Sequence, residues 1–576
     1  MILQPDPVIP VPKSSKTEYD QLAKAQQVSV VVAVSVKEAE EKNVAIVEKG
    51  IMAEEIYKMV EAPNKMGRTA VALIVSSWVI PISILVNHIV PKPYMDEIFH
   101  VPQARQYCAG NFTTWDPMIT TPPGLYFFSL AYISSLFPGI LFIQPASYFI
   151  KACSIPVLRS TNGFLAVICS ILVYDIIKSL KPSLDDKKAT LYTVVLALYP
   201  LHWFFTFLYY TDVASLIAVL AMYLMCLKKN YLSSALFGAF GVLVRQTNII
   251  WVLFVACTGV LDLIQAKQKR DEDMLFDPKD GQFTSSSGVY ISSNLKRRKS
   301  DNTNDTASHS VRGTSLLSSP DRSSGLFSEI WSILLTSWHL KWELLVSFSP
   351  FFALLVAFVA FIVWNGSIVL GAKEAHAVSA HFAQLLYYAL VSCCFMAPMH
   401  FSTSQASNLA RAFWKNRLLS CFLWFLAMIV SFLSVHYFSI AHPYLLADNR
   451  HYPFYLWRKI INAHWSTKYL LVPLYVYSWT SILTMLADTQ KKVWVLIYFV
   501  ASAVVLIPTP LIEFRYYTIP FFILVLHCHV TNDRIIPTMH GWILLNADKM
   551  VALLLDILRF TGKIFDSTLW HAFGLQ

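Results

Sequence analysis

Acidic and hydrogen-bonding side chains are unusually dense in residues 93–126. On a helix, Asp96 and His100 share a face with Gln103 one turn further, while Glu97 points to the neighbouring side. A carboxylate on such a face could take a proton from a hydroxyl group of a bound substrate. Two acids in the first turn of an interfacial helix, where they complement its dipole, would give the same pattern. Spacing alone leaves both interpretations open.

Four further charged residues interrupt or adjoin apolar runs, where charges are costly and often functional. They are Asp212, Arg245, Glu513 and Arg515. In a purely structural interpretation, Arg245 pairs with Asp212 or with a helix carbonyl, and Glu513 pairs with Arg515 at the membrane interface. For each residue alone, the structural interpretation and a functional one both remain open.

The segment of residues 442–458 combines charged groups with many aromatic rings. It contains Asp448, Arg450 and His451. Such a composition suits a loop that binds sugars, although belts of Trp and Tyr at a membrane interface have a similar composition.

The elements that carry these residues are predicted to be membrane-spanning helices. The chain is 55% hydrophobic and 14% charged, whereas a typical soluble domain has roughly 25% charged residues. Because a spanning helix needs about 20 mostly apolar residues, we predict an all-α integral membrane protein, a polytopic bundle of about 11–13 transmembrane helices. The apolar runs lie near residues 69–90, 122–143, 160–179, 190–209, 211–227, 233–263, 343–364, 381–397, 418–440, 468–487, 493–511, 516–531 and 541–558.

Basic residues before the first apolar run set the expected orientation. Because Lys65 and Arg68 precede this run, the positive-inside rule puts the N-terminus in the cytosol and the loop of residues 91–121 on the far side. We expect no cleavable signal peptide, and the first run then acts as a signal anchor. Strict alternation of the spans puts residues 181–188 on the far side, although their lysines favour the cytosol.

Composition divides the chain into four predicted regions. They are a cytosolic extension (1–66), an N-terminal transmembrane module (67–266) with the loop 91–121, a basic and serine-rich cytosolic loop (267–340), and a C-terminal transmembrane module (341–576) with a far-side loop at 441–465. The excess of Lys and Arg is an ordinary orientation bias of membrane proteins. We therefore expect membrane lipids, and not nucleic acid, as partners.

The nine cysteines show no metal-ligand spacing. Most lie in apolar runs, so we predict small buried hydrophobic side chains rather than disulfides or metal ligands. Glycosylation sequons begin at Asn111 and Asn365, in loops assigned to the far side, and at Asn304, in a loop assigned to the cytosol. Modification of the first two would support the orientation.

Seven motifs are spread in order along the chain. They are MDEIFH (95–100), WDPMITT (115–121), FLYYTD (207–212), RQTNIIW (245–251), NGSIV (365–369), LADNRHY (446–452) and EFRY (513–516). Together they resemble the endoplasmic reticulum α-1,2-glucosyltransferases that use dolichyl-phosphate glucose. The likeness extends from about residue 67 to about residue 530.

The resemblance implies a GT-C fold with a large first luminal loop that carries an acidic residue near its start. It implies a multi-pass protein of the endoplasmic reticulum membrane, with a cytosolic N-terminus and a luminal active site. The implied reaction moves glucose from dolichyl-phosphate glucose to the terminal glucose of Glc2Man9GlcNAc2-PP-dolichol, in α-1,2 linkage. This step completes the N-glycan precursor.

The implied reaction also suggests roles for residues. A β-linked glucosyl phosphate that yields an α linkage must invert at the anomeric carbon, most simply in one displacement. Asp96, with Glu97 as the alternative, is expected to take the proton from the 2-hydroxyl of the acceptor. The departing phosphate calls for cationic and hydrogen-bonding groups. The candidates for binding the donor phosphate and sugar are Arg245, Arg515, Arg450, His451, His100, Asp212, Asp116 and Glu513.

No metal cofactor is expected, because the far-side loops contain no DxD motif and the chain contains no glycine-rich nucleotide loop. A weakly bound divalent cation between the phosphate and Asp116 is the alternative. The rival function is a transporter or lipid flippase, since intramembrane Arg and Asp also mark translocation paths. The gathering of the polar residues at one membrane face, without a convincing internal repeat, favours the enzyme.

Overall fold

The computed structural model describes residues 65–136, 152–275, 325–371, 373, 379–447, 452–529 and 533–547. These residues contain helices and no strand, which confirms the predicted all-α class. The helices are α1 (Lys65–Ile89), α2 (Glu97–Cys108), α3 (Gly124–Leu136), α4 (Ile155–Leu180), α5 (Asp186–Ala197), α6 (Pro200–Thr206), α7 (Thr211–Leu227), α8 (Tyr231–Val244), α9 (Ile249–Leu275), α10 (Leu326–His339), α11 (Lys341–Asn365), α12 (Ala383–Phe395), α13 (Ala397–His400), α14 (Thr403–Lys415), α15 (Arg417–Phe438), α16 (Pro443–Ala447), α17 (Tyr452–Leu456), α18 (Thr467–Leu470), α19 (Val472–Ala487), α20 (Lys492–Leu506) and α21 (Thr518–His527).

Six helices within the described residues are long and apolar enough to cross a membrane, and the pair α5 and α6, bent by 69°, would make a seventh span. Several predicted runs instead form shorter apolar helices, so the described part of the chain contains fewer full-length spans than the sequence suggested. Pro200 begins α6 just after the bend. Arg245, in an extended conformation, divides the run of residues 233–263 into α8 and α9.

The chain forms two compact units. The smaller unit, Val260–Leu340, contains the second part of α9 together with α10. In this unit the side-chain amide of Gln268 donates to the hydroxyl groups of Ser332 and Thr336 at 3.3 Å. The larger unit contains all the other described helices, and the residues of the candidate site described below belong to it.

Helices α1 and α4 run antiparallel and are joined at both ends. Near the start of α1, Arg68 Nε donates to Asp175 near the end of α4 at 2.6 Å. Near the start of α4, Arg159 Nη1 donates to the Val90 carbonyl, just beyond α1, at 2.6 Å. The chain therefore leaves α1 and enters α4 at the same end of the pair. We call this end the site face and the end with Arg68 the opposite face.

Of the predicted span at residues 122–143, the structure describes the part up to Leu136, and residues 137–143 lie outside the described residues. Helix α3, the described helix of this run, has 13 residues and a length of about 20 Å. The hydrocarbon core is about 30 Å thick. Apolar composition does not distinguish a spanning helix from a short one packed among its neighbours.

The antiparallel packing of α1 and α4 corrects the far-side assignment of residues 181–188. Helix α4 ends near Arg68, so this loop lies on the opposite face together with the start of α1. Lys181 there donates to the Cys528 carbonyl, just after α21, at 2.8 Å. The lysines of this loop now share a face with the basic start of α1, as the positive-inside rule requires.

Helix α7 forms the centre of the larger unit. Every residue from Thr211 to Cys226 is buried, whereas only 11% of the apolar window of α11 or of α15 is buried. A helix that is apolar all round and enclosed by protein belongs to the interior, and apolar helices with open faces suit contact with lipid. The interior position of α7 gives the residues of its first turn a fixed frame.

Candidate active site

Asp96 lies in a tight turn between α1 and α2, on the site face. The preceding residue, Met95, is buried and has a φ of 55°, which non-glycine residues seldom adopt. The Asp96 backbone N–H donates to the Tyr210 hydroxyl at 2.5 Å, and its carboxylate accepts a hydrogen bond from Arg515 Nη1 at 3.0 Å. Because the Asp96 side chain is 35% exposed, this carboxylate is both held in place and accessible to a ligand.

Glu97, the first residue of α2, is fully buried. Its Oε1 accepts from Arg159 Nε at 2.9 Å and from the Tyr209 N–H at 2.6 Å. Its Oε2 accepts from Arg159 Nη2 at 2.5 Å and from the Tyr94 N–H at 2.9 Å. A carboxylate enclosed by four donors presents no open face to a substrate hydroxyl. The two neighbouring acids therefore have different environments.

Arg515 lies in the 3-10 turn Phe514–Tyr517 between α20 and α21 and is largely buried. Its Nε lies 3.6 Å from Glu513, in addition to the bond that its Nη1 makes to Asp96. Burial alone would lower the pKa of Arg515, but the charges of Glu513 and Asp96 raise it well above its usual value. The guanidinium group is therefore a permanent positive charge beside Asp96.

A second ion pair joins Asp212, in the first turn of α7, to Arg245, at the break between α8 and α9. The distances are 3.0 Å from Nη1 to Oδ1 and 3.4 Å from Nη2 to Oδ2, a fork geometry that favours a fixed orientation. Asn248 stabilises the break, since its side-chain amide donates to the Gly241 carbonyl and to the Ser215 hydroxyl, both at 2.8 Å. The break thus puts Arg245 at the site face.

The ring of Tyr516 lies between the two ion pairs. The guanidinium carbon of Arg245 is 5.7 Å from the ring centroid and that of Arg515 is 5.8 Å from it, both within range of a cation–π contact. An anionic ligand that reaches these groups would meet two guanidinium groups and an accessible carboxylate. The charged cluster, as we call it, consists of Asp96, Asp212, Arg245, Glu513 and Arg515.

His100 lies one turn beyond Asp96, on α2, and is buried. Its Nδ1 is 2.7 Å from the Tyr126 hydroxyl, and its ring centroid is 6.0 Å from that of Tyr210. Burial lowers the pKa of His100 to about 4, against the opposing effect of the Asp96 charge. His100 is therefore neutral near pH 7 and can offer a hydrogen bond, but no positive charge, to a ligand.

Asp116 belongs to a neighbouring part of the loop. Its backbone N–H donates to the Gln103 side chain on α2 at 2.9 Å. From the break between α8 and α9, the Gln246 side chain donates to the Thr120 carbonyl at 2.9 Å. The loop of residues 114–120 is thus fixed by side chains from two separate elements.

Cys108 and Cys153 form a disulfide, so the prediction that the cysteines are not disulfide-bonded is wrong for this pair. The bridge joins the last residue of α2 to the residue two positions before α4, and Arg105 Nε donates to the Cys153 carbonyl at 3.3 Å. The two cysteines are 45 residues apart in sequence. They meet because the chain returns to the site face, and spacing in the sequence does not reveal this return.

The described residues bring five of the sequence-predicted site residues into the charged cluster, with His100 beside it and Asp116 in the adjoining loop. Glu97 lies behind Asp96 in the interior. Arg450 and His451 lie outside the described residues, and their role stays a prediction.

Arg159 and Tyr210 contact the Asp96 turn, although the sequence pattern gave neither a role. The available signal for Arg159 was a charge at the edge of the apolar run of residues 160–179. Its partner Glu97 is 62 residues away, and helical periodicity carries no information on pairs so distant. Tyr210 stands in the motif FLYYTD, where its hydroxyl group gave no separate signal.

The chain matches a known protein family. The profile described as the DIE2/ALG10 family matches residues 90–526, a range that includes the charged cluster. A relative from Arabidopsis thaliana, named Dol-P-Glc:Glc(2)Man(9)GlcNAc(2)-PP-Dol alpha-1,2-glucosyltransferase, is 58% identical over 469 residues, which cover 81% of this chain and 92% of the relative.

Proteins of the same name from Homo sapiens and Drosophila melanogaster are 35% and 30% identical to the chain, over 444 and 443 residues. These alignments cover 75% and 76% of this chain, and 83% and 84% of the relatives. No solved structure matches the chain.

Proposed function

The chain belongs to the DIE2/ALG10 family, and from this membership we propose how its residues carry out the reaction. It is a dolichyl-phosphate-glucose-dependent α-1,2-glucosyltransferase that adds glucose to Glc2Man9GlcNAc2-PP-dolichol and completes the N-glycan precursor. The resemblance indicated by the seven motifs is confirmed, and the enzyme is supported over the transporter or flippase.

Donor and acceptor are both dolichol-linked, so both substrates are anchored in the same membrane. Their reacting sugars must then meet at the membrane surface, where the site face presents the Asp96 turn. The apolar helices of the larger unit supply the frame that keeps this turn at the surface.

The chemistry requires one base and a stabilised leaving group. A β-linked glucosyl phosphate that yields an α linkage inverts at the anomeric carbon, and a single displacement achieves this. The acceptor 2-hydroxyl forms the new bond to the anomeric carbon and loses its proton to the base. The bond from that carbon to the phosphate oxygen breaks, and dolichyl phosphate leaves with the electron pair.

Asp96 is the proposed base, and the observation that supports it most strongly is its accessible carboxylate within the charged cluster. Glu97 is the weaker candidate, because four donors enclose its carboxylate. A positioned carboxylate within hydrogen-bond reach of the hydroxyl is sufficient for general-base catalysis. Asp96 thus takes the proton, and Glu97 serves as a structural partner.

Arg515 and Arg245 are the proposed partners of the donor phosphate. Each guanidinium group is oriented by a carboxylate and lies beside the Tyr516 ring. Positive groups fixed before the reaction stabilise the charge that grows on the leaving phosphate. His100, neutral and close to Asp96, adds a hydrogen bond, while Asp212 and Glu513 orient the two arginines.

A purified-enzyme assay tests both the function and the proposal that no metal is required. With dolichyl-phosphate glucose, a diglucosylated lipid-linked acceptor and excess EDTA, we expect a triglucosylated product, because guanidinium groups supply the positive charge. The monoglucosylated acceptor is the matched control, and we expect no transfer to it. Absence of any transfer would contradict the function. Transfer that resumes only when Mg²⁺ or Mn²⁺ is added would overturn the metal-free mechanism.

We propose that the site face looks into the lumen of the endoplasmic reticulum. The disulfide on this face supports the assignment, because disulfides persist in oxidising compartments. The basic residues at the opposite face, Arg68 and Lys181 among them, suit the cytosolic side. Asp96 then lies on the luminal side, where the acceptor sugar is expected.

The sequon asparagines differ in how well they suit a glycan. Asn111 is exposed, three residues beyond the bridged Cys108, and its amide donates to Gln106 at 3.0 Å. The amide nitrogen of Asn365 donates to two carbonyl groups of its own loop, those of Ser367 at 2.7 Å and Val369 at 2.9 Å. Attachment at Asn365 would disrupt that loop.

We therefore expect an N-linked glycan at Asn111 rather than at Asn365. Endoglycosidase treatment should shift the gel mobility of the wild type, and the shift should be lost in Asn111→Gln and kept in Asn304→Gln. The opposite pattern, with the shift lost in Asn304→Gln, would reverse the proposed orientation.

A further inference from the structure

The buried ion pair between Arg159 and Glu97 lies directly behind the Asp96 turn. The side chain of Arg159 is 1% exposed and that of Glu97 is 0% exposed. Arg159 lies near the start of α4 and Glu97 begins α2, so the pair joins these two helices. Neither residue touches the accessible side of the charged cluster.

Arg159 uses its whole set of N–H donors. Nε and one N–H of Nη2 bond to the Glu97 carboxylate at 2.9 and 2.5 Å. The remaining donors reach the Asn87 side chain at 3.2 Å, the Val90 carbonyl at 2.6 Å and the Lys92 carbonyl at 3.1 Å. A guanidinium group has five N–H donors in a rigid fork, and a lysine cannot reproduce this pattern.

Glu97 extends the network to two further backbone segments. Its carboxylate accepts the Tyr94 N–H and the Tyr209 N–H at 2.9 and 2.6 Å. Residues on both sides of Asp96 are thus fixed to α4 and to the segment that precedes α7. The Asp96 N–H itself donates to Tyr210, the next residue of that segment.

The turn between Tyr94 and Glu97 contains an unfavourable conformation. Met95 has a φ of 55°, and positive φ values of bulky residues persist only when the surroundings enforce them. The bonds of Glu97 and Arg159 on either side of Met95 supply that constraint. If the constraint is lost, the turn can relax and Asp96 can move away from Arg515.

We propose that Arg159 is a positioning residue for glucose transfer and acts through Glu97 to aim the Asp96 carboxylate. This role rests on the proposed function, in which Asp96 is the base. Arg159 and Glu97 are buried and do not take part in the proton transfer themselves. A displacement of about 1 Å at a reacting group lowers the rate on the order of 100-fold, so a small relaxation of the turn is costly.

The competing explanation is that the pair only stabilises the packing of α1 against α4. The chain offers a matched control, because the buried pair of Arg68 and Asp175 joins the same two helices at the opposite face at 2.6 Å. Arg68→Lys perturbs the helix pair without touching the Asp96 turn. Any effect of Arg159→Lys beyond that of Arg68→Lys therefore belongs to the turn.

The experiment compares kcat, the donor KM and thermal stability in detergent for Arg159→Lys, Glu97→Gln and Arg68→Lys. We expect kcat to fall about 10- to 100-fold in the first two variants, with the donor KM within about threefold of wild type because the arginines of the charged cluster are intact. Arg68→Lys should keep a kcat close to wild type. Glu97→Gln is the second variant in case Arg159→Lys fails to fold.

A double variant isolates the action through Asp96. On an Asp96→Asn background, Arg159→Lys should cause no further loss of the residual rate, because the group that it positions is already inactive. A further loss equal to that in the wild-type background would overturn the proposal, as would a kcat of Arg159→Lys equal to that of Arg68→Lys. Full activity of Asp96→Asn would instead refute the base assignment itself, so the two failures are distinguishable.

Discussion

Replacing Asp96 by asparagine is expected to lower the rate of glucose transfer by about 100- to 10,000-fold, the usual contribution of a general base. The amide has nearly the same shape as the carboxylate but cannot accept the proton of the acceptor hydroxyl. The measurement is kcat with purified enzyme and the diglucosylated acceptor. Because the Asp96 side chain is partly exposed, we expect the variant to fold normally.

Donor binding separates the loss of a base from damage to the site. In the structure Asp96 accepts a hydrogen bond from Arg515 at 3.0 Å, so in the proposed mechanism the carboxylate would compete with the donor phosphate for this guanidinium group. The donor KM of Asp96→Asn should therefore be equal to or below that of wild type. A raised donor KM with a normal kcat would contradict the assignment.

Asp186→Asn is the matched control for this substitution. It makes the same chemical change on the opposite face, where the half-exposed Asp186 pairs with Lys178 at 2.8 Å. Surface ion pairs contribute little to stability. We expect this variant to keep wild-type activity, so a loss confined to Asp96→Asn belongs to the site.

Replacing Arg515 by glutamine is expected to lower kcat by about 100- to 1,000-fold, the typical cost of removing one group that stabilises developing negative charge. The substitution removes a guanidinium group whose pKa the charges of Glu513 and Asp96 raise against the effect of burial. It also leaves the carboxylates of Glu513 and Asp96 close to the donor phosphate, which should raise the donor KM. Both kcat and the donor KM are measured in the same transfer assay.

Arg515→Lys and Arg105→Gln complete this series. The lysine keeps the charge but loses the planar fork, so we expect an intermediate activity. Arg105 is exposed on α2 and bonds to the Cys153 carbonyl, so its substitution should leave kcat nearly unchanged. Wild-type kcat in Arg515→Gln would show that the leaving phosphate is stabilised elsewhere.

The sequence was sufficient for the class of the fold and for the residues of the charged cluster. Long apolar runs predict helices in a membrane whatever their packing, and charges such as Arg245 and Asp212 attract attention because a membrane makes them costly. The bidentate bond between these two residues was one of the alternatives that the sequence left open. The seven motifs indicated the family.

The sequence was insufficient wherever the answer depended on distant parts of the chain meeting. The partnership of Glu97 with Arg159 and the bridge between Cys108 and Cys153 follow from the return of the chain to the site face. Hydropathy records how apolar a segment is, but it does not record on which face of the protein the segment ends. Strict alternation therefore predicts residues 181–188 on the far side, whereas they share a face with the start of α1.

The bridge between Cys108 and Cys153 has a consequence for how the enzyme matures. It ties the end of the helix that follows Asp96 to the start of the helix that carries Arg159, so newly made chains assemble this region fully only after the thiols are oxidised. A chain whose two thiols stayed reduced would keep its apolar helices but would lack the covalent link between α2 and the segment that precedes α4. If the site face is luminal, as proposed, the link forms in the same oxidising compartment in which the enzyme acts.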